Sequence, residues 1–126
     1  MPHAIVYTHD APAPIGPYSQ AVGAGSLVFI SGQLPLDPVS GEMTGTTIEE
    51  QTTRALRNLK AILAAAGLST ESLVKTTVFL RSLADFSAFN TIYEKELSGT
   101  KPARSVIEAA GIPRGAMIEI EAIACR

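Results

Sequence analysis

The sequence predicts an α+β fold, a single mixed sheet with both helices packed on one face. Three observations lead there. A capping signature opens a long amphipathic segment after Thr46, runs rich in β-branched residues flank that segment, and the element order reads strand, strand, strand, helix, strand, helix, strand, strand. At 126 residues the chain is read as one domain, residues 1–126.

Residues 3–7 alternate weakly and read as an edge strand. From Ala11 to Gln20 the chain carries Pro12, Pro14 and Pro17 with Gly16. Such a stretch is stiff and extended, cannot join the middle of a sheet, and holds Tyr18 in a defined position; an ordinary packed tyrosine is the competing reading. Residues 21–24 and 27–33, joined at Gly25-Ser26, read as a β-hairpin. The second of these strands is apolar on both faces and is expected to lie centrally. Ser31-Gly32 near its end marks a bulge or a close backbone approach, caused by a ligand or by a sheet corner. Residues 34–41 are surface turn chemistry.

The first helix has the clearest local signal. Thr46 and Thr47 each precede a glutamate by three residues, and Ile48, Ala55, Leu56, Leu59, Ile62, Leu63 and Ala66 keep a helical period before Gly67 ends it. Residues 72–80 form a strand with Val74, Thr76, Val78 and Leu80 expected on one face. A second helix is expected over Leu83–Leu97, opened by Ser82 with Asp85 and closed near Gly99, with Phe86, Phe89, Tyr93 and Leu97 as its buried stripe. Asn90 lies beside that stripe and is either a surface asparagine or a ligand contact.

Two strands close the chain, residues 102–107 and 117–124. In the second, Glu119 and Glu121 share one face while Ile118, Ile120 and Ala122 share the other. Arg104 in the first needs a partner for its planar fork of donors, because a desolvated guanidinium without one is costly. The connection through Gly111 and Pro113 suggests that the two runs lie side by side, so that Arg104 and a glutamate line one small polar site. A purely structural cross-strand ion pair is the competing reading.

Composition limits the function. The chain is 46% hydrophobic and only 17% charged, which suggests further apolar burial at a subunit interface. A net charge of −2 without a basic stripe offers nucleic acid no electrostatic footprint. The single Cys125 excludes a disulfide framework and a cysteine metal site, and His3 and His9 stand near the N-terminus without neighbouring ligands. No signal peptide or membrane span is legible, so a cytoplasmic location is expected.

Six stretches, in order and at workable spacing, resemble the RidA (YjgF) family of reactive-intermediate imine deaminases. They are residues 13–20, 30–33, 74–79, Asp85-Phe86 with Asn90 and Tyr93, 102–105, and 118–122. The resemblance covers essentially the whole chain. It implies a homotrimer of chorismate-mutase-like subunits around a central barrel, with sites in the clefts between neighbours. It also implies hydrolysis of enamines and imines released by pyridoxal-phosphate enzymes, such as 2-aminoacrylate, to 2-oxo acids and ammonium, without metal or organic cofactor. Matched by motif, Arg104 would bind the substrate carboxylate and Glu119 would serve as acid and base, with Tyr18, Ser31, Gly32 and Asn90 lining the pocket. Val106 stands at a pocket position where several members have cysteine. Two alternatives remain: a non-catalytic trimer that binds 2-oxo acids or other small carboxylates, and an endoribonuclease or translation inhibitor.

Overall fold

Two crossovers decide the architecture. The structure, a computed structural model, describes residues 3–126. Its elements are β1 (Ala4–Val6), β2 (Ala21–Ala24), β3 (Leu27–Gln33), α1 (Ile48–Ala65), β4 (Leu73–Leu80), α2 (Phe86–Glu96), β5 (Ala103–Glu108) and β6 (Ile118–Cys125). They form one six-stranded sheet in the order β1-β2-β3-β6-β4-β5. β3 and β4 are each antiparallel to β6, hence parallel to one another, and β4 pairs parallel with β5. Parallel strands need a crossover, and right-handed crossovers that step in the same direction lay their helices on the same face. Both helices accordingly cover one side of the sheet, as expected.

The core follows from alternation. Ile118, Ile120, Ala122 and Ala124 of β6 are buried beneath Leu56, Leu59, Ile62 and Leu63 of α1, and Val28, Ile30, Val78 and Leu80 flank them. α1 starts where the local signal puts it: the Thr47 hydroxyl accepts from the Glu50 backbone N–H, and the Glu50 carboxylate accepts from the Thr47 N–H in return. Gly67, at φ 76°, follows the helix in the left-handed conformation that glycine favours.

Four expectations are corrected. β5 and β6 are not side by side, because β6 takes the slot that the α1 crossover leaves open between β3 and β4, where it gains two ladders. Val74, 45% exposed, does not share the face of Thr76, Val78 and Leu80, which are buried. A register shift between Leu73 and Lys75 adds one residue to β4, so Leu73 takes the core seat. The second helix begins later than expected: Ser82 caps a 3₁₀ turn over Leu83–Asp85, and Asp85 makes no capping bond of its own. Phe89, Tyr93 and Leu97 are buried on that helix, whereas Phe86 is 38% exposed.

The face away from the helices is uncovered in the single chain. Phe29, Ile107 and Ile5 stand exposed there, and Phe79 and Ile123 are only half-buried. On the other side, Glu96 of α2 accepts from Lys60 Nζ of α1 at 3.0 Å and lies 3.5 Å from Arg57 Nε. Burial pushes the Glu96 carboxyl up, but the hydrogen bond and charge of Lys60, with the charge of Arg57, outweigh it and hold the pKa below the ordinary value. A folded-state pKa lower than the unfolded one stabilises above the unfolded value and loses that stabilisation as pH falls through the folded value. Glu96→Gln should therefore lower the unfolding free energy at neutral pH by about 1–2 kcal/mol. In urea denaturation the gap to wild type should close as pH falls below the ordinary glutamate range.

Candidate active site

One chain carries two incomplete polar sites on opposite faces of its sheet. The first is a cleft of 620 Å³ whose lining includes Tyr18, Ser31, Gly32, Arg114, Glu119 and Glu121. Its proline-rich wall is held by Gln20, a side chain 2% exposed. The Gln20 amide donates to the carbonyls of Thr8, Ala11 and Pro12 and accepts from the Thr8 N–H. That fixes the segment from one buried anchor and leaves Tyr18, 52% exposed, at the rim. Ser31 is tied to the same segment, its N–H donating to the Gln20 carbonyl at 2.9 Å and its hydroxyl to that of Ser19 at 2.6 Å.

Gly32 sits where β3 shifts register against β6, between Ile30 and Gln33, so the expected irregularity is present. The close approach it permits is made by the Glu119 side chain. A Cβ on Gly32 would collide with the Glu119 carboxylate oxygen and lie 2.9 Å from its Cδ and 3.1 Å from its Cγ. Glu119 thus folds flat over bare backbone. Burial there pushes its carboxyl pKa up, and the charge of Glu121, two residues along the same face, pushes it further the same way.

The second site surrounds Arg104 on edge strand β5. Its guanidinium carbon lies 4.8 Å from the centroid of the Tyr93 ring, 5.6 Å from Phe86 and 5.7 Å from Phe89. Nη1 donates to Asn90 Oδ1 at 2.7 Å. Among the described residues no carboxylate pairs with it, since the ion pairs present are those of Glu96 with Arg57 and Lys60. The structural Arg–Glu pair weighed from the sequence is therefore absent. Instead, an aromatic wall and one amide hold a fork whose other donors face a cleft of 330 Å³ lined by Asn90, Tyr93, Thr100, Lys101 and Pro102.

The two sites do not meet within the chain. Arg104 is paired with Thr76 and Glu119 with Phe79, and those partners are three residues apart on β4, hence on opposite faces. The expectation that Arg104 and a glutamate of the same chain line one site is thus corrected: Tyr18, Ser31, Gly32 and Glu119 share one cleft, Arg104 and Asn90 the other. Val106 packs against the core and lines neither cleft. Gln20, Tyr93 and Arg114 were not among the site residues expected from the sequence, although Tyr93 was placed on the buried stripe and both Gln20 and Tyr93 fall in the matched stretches. Tyr93 carried a signal, because a phenol on a buried helix stripe needs a polar partner; it finds Thr76 at 2.6 Å. Arg114 gave none: it holds a left-handed φ of 64° at the cleft margin and donates to the Gly41 carbonyl. Among the described residues, no group of three His, Cys, Asp or Glu could hold a metal ion, and no helix is long and apolar enough to cross a membrane.

Comparison with known proteins supplies the family context. The endoribonuclease L-PSP family model matches residues 8–126. The chain is 47% identical over 120 residues to the 2-iminobutanoate/2-iminopropanoate deaminase of Mus musculus, covering 95% of this chain and 89% of that one. It is likewise 47% identical to a RutC family protein of Pyrococcus horikoshii, covering 95% of each. Among solved structures, E. coli TdcF with bound serine superposes with a TM-score of 0.92 at 44% identity, over 98% of both chains.

The geometry around Gly32 predicts a titration. In Gly32→Ala the new methyl group expels the Glu119 carboxylate toward solvent, so its pKa should fall back toward the ordinary value. Carboxyl carbon NMR of both proteins would read this, and an unchanged midpoint would contradict the contact.

Proposed function

We propose, because this chain belongs to the endoribonuclease L-PSP family that includes the RidA, YjgF and RutC proteins, that it hydrolyses 2-imino acids to 2-oxo acids and ammonium in a site shared between copies of the chain. The observation that carries the reading is the division already described: an unpaired guanidinium on one sheet face and an unpaired, desolvated carboxylate on the other. Neither half is complete. A ring of copies, each offering Arg104 to its neighbour's Glu119, completes every half at once. The uncovered apolar face and the low charge of the chain support such an assembly, and a homotrimer is the family expectation.

In the shared site the substrate carboxylate docks on the free donors of Arg104, two parallel bonds being the geometry that the guanidinium fork favours. That orients the imine carbon toward the cleft over Gly32. A water held by Glu119 of the neighbouring copy attacks this carbon. Glu119 takes the water proton as the carbon–oxygen bond forms and the electron pair of the C=N bond moves to nitrogen. With the imine entering protonated, this gives an amino alcohol. Glu119 then returns its proton to the amino nitrogen and takes the hydroxyl proton as the carbon–nitrogen bond breaks and C=O forms, so that ammonia leaves, is protonated to ammonium, and the 2-oxo acid remains. A carboxyl whose pKa lies above the ordinary range exchanges protons more readily near neutrality than a solvated glutamate does. Because the reaction needs Glu119 ionised to accept the proton, kcat/KM should fall on the acid side, and Glu121→Gln, which removes the like charge that pushes the Glu119 pKa up, should move that limb to lower pH.

The alternative of RNA cleavage fits the cleft poorly. Glu119 and Glu121 project into the space that a phosphate backbone would have to enter. Non-catalytic binding is separated by Glu119→Gln, which keeps the affinity for 2-oxobutanoate if the protein is a carrier and loses turnover if it is a deaminase.

Mixing inactive variants tests the shared site directly. Arg104→Ala and Glu119→Gln should each abolish ammonia release from 2-iminobutanoate generated in situ. Unfolded together in equal amounts and refolded, they should regain about a quarter of wild-type activity, the chance that an intact arginine faces an intact glutamate in a random closed ring. No recovery would mean that both residues must come from one chain.

A further inference from the structure

Helix α2 is joined to the sheet by two side-chain hydrogen bonds, and both end beside Arg104. One is the Asn90–Arg104 bond at 2.7 Å; the other joins the Tyr93 hydroxyl to Thr76 Oγ1 at 2.6 Å. The first includes the anion-binding group itself, so it is shared or lost whenever a ligand competes for that fork. The second is independent of ligand. Thr76 is fully buried and Tyr93 is 6% exposed, so nothing outside the protein competes for either hydroxyl.

Thr76 is also the β4 residue opposite Arg104 in the parallel ladder. The bond therefore clamps the Tyr93 ring above the rung that carries Arg104, with the ring centroid 4.8 Å from the guanidinium carbon, nearer than either phenylalanine. An arginine stem has many rotamers, and one on an edge strand has a neighbour on one side only. What holds the fork outward is the aromatic wall, and the position of that wall depends on the clamp.

We propose that Tyr93, latched by Thr76, is a positioning residue for Arg104: the ring fixes the guanidinium plane and so sets the affinity for the substrate carboxylate without touching the reacting atoms. The inference rests on the carboxylate-binding role proposed above for Arg104. It assigns to the pair a loss in binding with little loss in turnover, because the Tyr93 hydroxyl is engaged by buried Thr76 and takes no part in the proton transfers. A phenol that merely satisfied a core hydroxyl would affect stability alone.

Tyr93→Phe and Thr76→Val each remove one hydroxyl while keeping ring or branch. KM for 2-iminobutanoate should rise about tenfold in either variant, equivalent to ~1.4 kcal/mol of binding, while kcat stays within about twofold. The upfield ring-current shift of the Arg104 side-chain protons, read by NMR without substrate, should shrink in parallel. A lowered Tm with KM and the Arg104 shifts at wild-type values overturns the proposal, and the result for Tyr93→Phe decides it if Thr76→Val does not fold. Absence of imine hydrolysis by the wild type would overturn the deaminase reading, while the Arg104 resonances would still decide the latch.

Discussion

A pleated strand sends successive side chains to opposite faces, and that constraint governs how this molecule can act. Arg104 belongs to the row that runs through Thr76, Ala122 and Ile30 on the helix side; Glu119 belongs to the row through Phe79 on the bare side. No side-chain rotation brings the two through the sheet. Moving either by one residue in register would bring them to one face, but it would also turn the apolar set of that strand out of the core. The separation is therefore as secure as the hydrophobic core, and any chemistry that uses both groups has to recruit another copy.

The two halves are prepared by different means. Glu119 is made unusual by removal: glycine beneath it, a desolvating cleft around it and a like charge at Glu121 leave its carboxylate with no compensating donor. Arg104 is made useful by support, with three ring faces and one amide holding a cation whose remaining donors have no partner in the chain. Each half keeps an unmet electrostatic demand. A proximal opposite charge answers both, and in the proposed assembly the substrate stands between them, its carboxylate meeting one and its electrophilic carbon the other.

What was legible in the sequence was local. The capping box at Thr47, the period of α1 and the alternation of β6 are set within a few residues, and they read correctly from the residues involved. The pairing of strands is not local. That β6 slips between β3 and β4 depends on a vacancy created by a crossover some fifty residues earlier, so proximity in sequence misled the placement of β5 and β6. Val74 failed because one extra residue in a bulge inverts the alternation behind it. Gly32 was legible as a close approach, but the group that approaches is the chain's own Glu119 rather than a ligand. The candidate residues themselves came from the family resemblance; their division between two clefts was beyond any motif.

Phe86 shows how the departures from pattern and the site coincide. On helical periodicity it belongs with Phe89, Tyr93 and Leu97, yet it stays partly exposed at the first turn of α2. Its ring is not idle, because the Arg104 guanidinium lies 5.6 Å from its centre. A phenylalanine there gives up some burial and gains a cation that the chain provides with no carboxylate. The same exchange runs through the molecule: a strand edge without a partner, a glutamate without a donor and a sheet face without a cover each cost the isolated chain stability. In the proposed assembly all three would be relieved by one event, the docking of a neighbouring copy, which makes assembly and the completion of the site one free-energy balance.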